Sequence, residues 1–61
     1  MQALRDDRWE VRSQAAMALA ELGEYRALAT LLAALKDEHG SVRIAAARAI
    51  IFIIDKVPPA D

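Results

Sequence analysis

The sequence has no cysteine and only one histidine. Disulfide bonds are therefore excluded, and a metal site would lack most of its usual sulfur and nitrogen ligands. Chains of about 60 residues bury only about 60% of the surface that the unfolded chain exposes, and they usually need a disulfide, a metal or association to be stable. Since the first two are nearly excluded, the sequence predicts association with another protein.

Glycine and proline are also scarce, and neither sign of charge is in large excess. The two glycines and two prolines leave most of the chain free to be helical. The net charge is −1, and no basic patch is large enough to bind a phosphate backbone. The longest apolar run, Ile50 to Ile54, is too short to cross a bilayer, and no signal-peptide pattern opens the chain. We expect a cytoplasmic protein that binds neither nucleic acid nor a membrane.

What the sequence does contain is an internal repeat with a period of 31 residues. Residues 3–18 align without a gap to residues 34–49, and eight of the sixteen aligned pairs are identical. The pattern Val-Arg-x-x-Ala-Ala at residues 11–16 returns at residues 42–47. A repeat of this length indicates stacked helix pairs.

The spacing of apolar residues predicts an all-α fold with three main helices. These helices run from about Trp9 to Leu22, from about Arg26 to Lys36 and from about Ser41 to Asp55. The predicted core positions recur at helical spacing and are Val11, Ala15, Ala18, Leu19, Leu22, Leu28, Leu31, Leu32, Leu35, Val42, Ala46, Ala49, Ile50 and Ile53. Gly23 is predicted to end the first helix in a left-handed conformation.

The repeat also predicts the domain organisation. We expect a single domain of residues 1–56, with repeat copies at about 3–33 and 34–56, followed by a C-terminal tail at 57–61. Residues 1–5 correspond to the last turn of a helix that ends a unit. The chain therefore either starts within a unit or is a piece of a longer array.

Two stretches of the sequence resemble a known repeat family. Leu-Gly-x-x-x-Ala-x-x-x-Leu-x-x-x-Leu-x-Asp at residues 22–37, with Val-Arg-x-x-Ala-Ala at residues 42–47, resembles the short HEAT-like repeat of phycobilisome lyase-type proteins. The resemblance covers about residues 3–53. It implies an α-α superhelix, here a HEAT-like α-solenoid fragment of about two repeats, and a protein–protein scaffolding role.

By the same resemblance, four charged residues would support the stacking of neighbouring units. They are Asp6, Arg12, Asp37 and Arg43. Trp9, Tyr25 and Gly40 depart from the family pattern, because they stand where the family often has proline. The starts of the helices are therefore expected to be less rigid than in a consensus array.

The predicted third helix is apolar nearly all round, although a terminal repeat should have a polar outer face. Where the first copy has Ser13, Ala20, Glu21 and Gly23, the second has Ile44, Ile51, Phe52 and Ile54. These four residues either form a surface for self-association or for a partner, or they contact a following repeat. Both explanations predict that the chain does not remain a monomer.

No group of residues predicts catalysis or a cofactor. His39, beside Asp37 and Glu38, is the only conceivable metal or acid–base cluster, but catalytic zinc needs three protein ligands and acid–base work needs a shielded pocket. We expect no catalytic, cofactor-binding or metal-binding residue.

The sequence thus predicts a protein–protein interaction or scaffolding module that works as a homo-oligomer or within a longer HEAT-repeat protein. The resemblance also implies an alternative, an accessory role in bilin attachment. Two units offer little surface for embracing a substrate, which disfavours that alternative.

Overall fold

The structure is a computed structural model that describes residues 2–56, and in this range the chain is helical and contains no strand. Its elements in order are a 3₁₀ helix at Gln2–Arg5, α1 at Trp9–Leu22, a second 3₁₀ helix at Tyr25–Ala27, α2 at Leu28–Ala34 and α3 at Gly40–Lys56. The prediction of an all-α fold with three main helices is confirmed. The predicted tail at 57–61 lies outside the described residues.

The end of α1 follows the prediction made for Gly23. This glycine has φ 64° and ψ 32°, a left-handed conformation that side chains other than glycine disfavour. The Gly23 amide donates to the carbonyl oxygen of Ala20, and the Glu24 amide donates to that of Leu19 at 3.2 Å. These two hydrogen bonds form a Schellman motif, which satisfies carbonyl groups that the end of the helix leaves open.

The predicted second helix, Arg26 to Lys36, is divided in the structure. Its first turn is a 3₁₀ helix in which the Ala27 amide donates to the carbonyl oxygen of Glu24 at 3.0 Å, and the carboxylate of Glu24 accepts from the Arg26 amide at 3.2 Å. After Ala34, the amides of Leu35, Lys36 and Asp37 donate to carbonyl oxygens three residues back. This tightening of the last turn is common at helix ends and leaves α2 with only two turns of α-helix.

The core lies where α1 packs along α3 and where α2 packs on α3, with the first 3₁₀ helix against α1. Its buried residues are Leu4, Ala15, Ala16, Leu19, Ala20, Leu31, Ala45, Ala49, Ile50 and Ile53. Half of them are alanines, which let helices approach closely but bury little apolar surface each. The core is therefore small for the length of the helices.

The predicted core positions are confirmed in α3 but only partly in α1 and α2. All five positions of α3, including Val42 and Ile53, are buried. In α1, Ala18 is exposed and Leu22 is 77% exposed, so both predictions are wrong. In α2, Leu31 is fully buried, but Leu32 and Leu35 are exposed. The reason is that, within residues 2–56, each helix packs against neighbours on one side only, whereas the apolar pattern also marks the other side.

Replacing Gly23 by alanine tests the C-cap of α1. Because a left-handed conformation costs an L-residue roughly 1–2 kcal/mol, Gly23→Ala should lower the melting temperature by several degrees. Gly40→Ala is the matched control, because a Cβ at Gly40 would meet only the flexible end of Arg43, at 3.4 Å. Thermal unfolding followed by circular dichroism measures both variants, and an equal loss of stability in the two would contradict this account.

Candidate interaction site

Arg12 joins the loop before α1 to the loop before α3. Its Nε donates to Oδ2 of Asp37 at 2.7 Å, and its Nη2 donates to Oδ1 of Asp37 at 3.0 Å. Its Nη1 donates to the backbone carbonyl oxygen of Asp6 at 2.6 Å. The side chains of Arg12 and Asp37 are only 11% and 13% exposed. A two-point contact of this kind fixes both distance and orientation, so it holds the two repeat copies in one register.

The Asp37 carboxylate has a second donor in its own loop. Its Oδ1 also accepts a hydrogen bond from the His39 amide at 2.9 Å. The Arg12 guanidinium, together with this amide, holds the pKa of the Asp37 carboxyl below its ordinary value of 3.8, although burial opposes the effect. Asp37 is therefore ionised at neutral pH, and both of its carboxylate oxygens accept hydrogen bonds.

Trp9 and His39 form a second contact between the same two loops. Their rings are stacked, with centroids 4.1 Å apart and an interplanar angle of 10°. The sequence analysis did not predict this contact, because it considered His39 only with its neighbours in the sequence, beside Asp37 and Glu38. Among residues 2–56, no group of three or more His, Asp or Glu side chains is placed to hold a metal ion.

The four charged residues predicted to support stacking are not equivalent in the structure. Arg43 repeats one contact of Arg12, since its Nη1 donates to the backbone carbonyl oxygen of Asp37 at 2.7 Å. Within residues 2–56, however, the Arg43 side chain forms no salt bridge. The Asp6 carboxylate, in turn, is bound by Arg8 from its own loop.

Arg8 occupies on Asp6 the position that Arg12 occupies on Asp37. Its Nε lies 3.1 Å from Oδ1 of Asp6, and its Nη2 lies 3.3 Å from Oδ2. Its amide donates to Oδ1 at 2.8 Å, which matches the contact of the His39 amide with Asp37. The Arg8 side chain is 73% exposed, so this pair is solvated, unlike that of Arg12. These contacts lower the pKa of Asp6 below its ordinary value.

Three of the four predicted interface residues share one face of α3. We call this the α3 outer face and define it by Ile44, Ala47, Ile51 and Ile54, which are spaced by one or two helical turns. The three isoleucines are 57%, 68% and 56% exposed in this order. A continuous exposed strip of large apolar side chains is typical of an interaction surface.

The structure places Phe52 on a different side of α3. Phe52 lines an open groove of ≈ 290 Å³ between α1 and α3, together with Met17, Ala20, Glu21, Arg48 and Ala49. The Nζ of Lys56 lies 4.5 Å from the centroid of the Phe52 ring. Adjacent residues on a helix point about 100° apart, so Phe52 points away from the strip that Ile44, Ile51 and Ile54 form.

The repeat shows which side of each helix is covered. Ala20 of α1, the counterpart of Ile51, is buried in the core that α1 shares with α3. Ser13, the counterpart of Ile44, has a buried hydroxyl oxygen. The α3 outer face thus corresponds to the side of α1 that lies toward α3.

A second exposed strip, missed by the sequence analysis, lies on α1. We call it the α1 outer face and define it by Gln14, Ala18 and Leu22, all exposed. Their counterparts 31 residues later are Ala45, Ala49 and Ile53, which α3 buries. The repeat register contained this signal, because it relates Leu22 to a residue that contacts a neighbouring helix.

Two copies of a helical unit, joined through their loops by an arginine–aspartate pair, define a helical-repeat protein of the α-solenoid class. Residues 1–60 match the family of HEAT repeats, and the chain belongs to this family. The match identifies HEAT repeats in general and no lyase-type subgroup. No curated protein and no solved structure matches the chain.

HEAT repeats are generally protein-interaction modules and are typically non-catalytic scaffolds. In the part of the chain that the structure describes, no helix has both the length and the apolar character needed to cross a membrane. The family and the two outer faces together indicate protein partners.

Arg12 should contribute more to stability than its counterpart Arg43. Arg12→Met removes the paired contact with Asp37 and a hydrogen bond to a carbonyl group, whereas Arg43→Met removes only a contact of the second kind. Urea unfolding at one low protein concentration should therefore give the larger loss for Arg12→Met. Equal losses in the two variants would show that the pair does not hold the copies together.

The same pair should make the stability of the chain depend on acid pH. The folded-state pKa of Asp37 lies below 3.8, so its contribution is present above the unfolded-state pKa and is lost as the pH falls through the folded-state value. Asp37→Asn should be less stable than the wild type at pH 7 and should lose less stability below pH 4. Melting temperatures between pH 7 and pH 2 measure this difference, and an unchanged acid loss in Asp37→Asn would contradict it.

Proposed function

We propose that the chain is a non-catalytic protein-interaction module that self-associates through the α3 outer face. Two facts support the proposal: the chain belongs to a family of interaction modules, and three large apolar side chains are exposed together on one helix. The observation that carries it is the exposure of Ile51 at the position where α1 has the buried Ala20. The position that holds the small, buried Ala20 in the first unit holds the larger and more apolar Ile51 in the second unit.

The free energy available from this face is large for so small a chain. Each isoleucine of this face is 56–68% exposed, so burying the rest of one contributes roughly 1–2 kcal/mol, from which the entropy cost of association is subtracted. Ile44, Ile51 and Ile54 together contribute about 3–6 kcal/mol, which overlaps the lower end of the stability of a whole domain, about 5 kcal/mol. Association would therefore stabilise a fold in which half of the core residues are alanines.

We further propose that the charged loop residues hold the units in the register that creates this face. Arg12 links Asp6 to Asp37 and so positions α3 along α1. Arg43 repeats one of these contacts, because it donates to the carbonyl oxygen of Asp37 as Arg12 donates to that of Asp6. In this proposal the four charged residues are structural, and Ile44, Ile51 and Ile54 form the interface. Phe52 is left out because it lies in the groove toward α1.

Truncating Ile51 tests the proposal with little risk to the fold. Ile51→Ala removes three carbons from a side chain that is 68% exposed, and alanine favours the helix. If the face is buried on association, the loss is roughly 1.5 kcal/mol and the dissociation constant should rise about tenfold. Sedimentation equilibrium at several loading concentrations measures this constant.

Leu32→Ala is the matched control, because Leu32 is an apolar residue of α2 that is 53% exposed and lies outside both outer faces. Its dissociation constant should stay at the wild-type value. A wild type that is monomeric at all concentrations would overturn the proposal. So would an unchanged constant for Ile51→Ala.

A further inference from the structure

We propose that copies of the chain associate head to tail, with the α1 outer face of one copy packed against the α3 outer face of the next. Arg43 of one copy then pairs with Asp6 of the following copy. This inference rests on the self-association proposed above and adds the orientation of the partner and the residues that set it. The occupant of the α3 outer face is thus a second copy of this chain.

The apolar part of the argument comes from the repeat register. Within one copy, α3 packs on α1 with a side that includes Ala49 and Ile53, both fully buried. Their counterparts on α1 are Ala18 and Leu22, and Leu22 is 77% exposed. The α1 outer face therefore presents Ala18 and Leu22 to a second copy. These side chains are of the same kind as Ala49 and Ile53, with which α3 packs inside one copy.

The charged part of the argument follows the same register. Arg12 binds the carboxylate of Asp37 with Nε and Nη2 while its Nη1 contacts the carbonyl group of Asp6. Arg43 already makes the equivalent carbonyl contact, at 2.7 Å, and forms no salt bridge within residues 2–56. Asp6 is the counterpart of Asp37, so Arg43 and the Asp6 of another copy are complementary in charge and in position.

Asp6 is also held in the orientation that such a pair requires. Its Oδ1 accepts from the Arg8 amide at 2.8 Å, as Oδ1 of Asp37 accepts from the His39 amide at 2.9 Å. The Arg8 guanidinium covers the carboxylate now, but its side chain is 73% exposed, and exposed ion pairs contribute little to stability. A second copy can therefore displace this guanidinium at small cost.

Head-to-tail packing differs from a two-fold dimer in the surfaces that it buries. A two-fold dimer through α3 would bury Ile44 and Ile51 of both copies and leave Leu22 and Asp6 in solvent. Head-to-tail packing is heterologous, so each copy keeps one free outer face and longer assemblies form as the concentration rises. The charge complementarity of Arg43 and Asp6 favours the second arrangement.

Two substitutions on α1 and its loop separate the arrangements. Leu22→Asp places a charge on the α1 outer face, and Asp6→Arg places like charge opposite Arg43. Both positions are far in sequence from Ile51, and Leu22 makes little contact with the core. Each variant should raise the dissociation constant tenfold or more in sedimentation velocity at several concentrations. Leu32→Asp and Asp55→Arg carry the same changes at exposed positions outside the proposed contacts and should keep the wild-type constant.

Exchanging the two charges within one chain tests the pair itself. Arg43→Glu alone should weaken association like Asp6→Arg, and the double variant should recover at least half of the lost affinity on a logarithmic scale. Lys36→Glu is the control for the charge change of Arg43→Glu. Circular dichroism confirms that each variant is helical.

If Ile51→Ala weakens association while Leu22→Asp and Asp6→Arg do not, head-to-tail packing is overturned and self-association through α3 stands. If Ile51→Ala has no effect either, both proposals fail. A double variant no tighter than the single variants would overturn the Arg43–Asp6 pair.

Discussion

The two-point contact of Arg12 with Asp37 is the constraint on which the arrangement of the helices depends. It ties the first turn of α1 to the loop before α3, and its third hydrogen bond ties both to the loop before α1. The stacking of Trp9 on His39 adds an apolar contact beside it. Since alanines supply much of the core between α1 and α3, packing alone would specify the register of these helices only weakly. The arginine contact supplies the missing directionality.

Once this register is set, the two copies of the repeat expose opposite sides. In α1 the side that carries Ala20 is buried, and the side that carries Leu22 is exposed. In α3 the side that carries Ile53 is buried, and the side that carries Ile51 is exposed. A solenoid unit needs a neighbour on both sides to bury its apolar positions, which is why single units are not stable alone. The exposed side of α3 is apolar, and that of α1 carries Ala18 and Leu22 beside Gln14, so the proposed association continues the packing that the chain already shows internally.

The sequence predicted the elements better than their environment. Local signals sufficed for α1, because Gly23 marks its end and its apolar residues recur at helical spacing. The periodicity could not show that Leu22 is exposed. An apolar pattern marks every side of a helix that a neighbour could cover, but it does not show which of these sides has a neighbour. The alignment of the two copies selected Phe52 together with Ile51, but only the three-dimensional arrangement shows that Phe52 lines the groove toward α1.

The charged contacts illustrate the same limit at the site. The family resemblance selected Arg12 and Asp37, but only the three-dimensional arrangement shows that they bind each other, 25 residues apart in sequence. It also shows that Arg8 covers Asp6, a contact between neighbours in the chain that the repeat comparison gave no reason to expect. Pairs of residues that are distant in the sequence depend on how the helices pack. The sequence of the loops before the helices carries no local signal for this packing.

Disulfide trapping between copies tests the central claim most directly, because the chain has no cysteine of its own. Ala20 and Ala49 line one groove between α1 and α3, and the repeat register translates this pair into position 51 of one copy and position 18 of the next. Ala18→Cys and Ile51→Cys chains would be mixed, oxidised and analysed by mass spectrometry. Head-to-tail packing predicts that the links join position 18 to position 51. Links that join position 51 to position 51, or no links above the level of random collision, would contradict it.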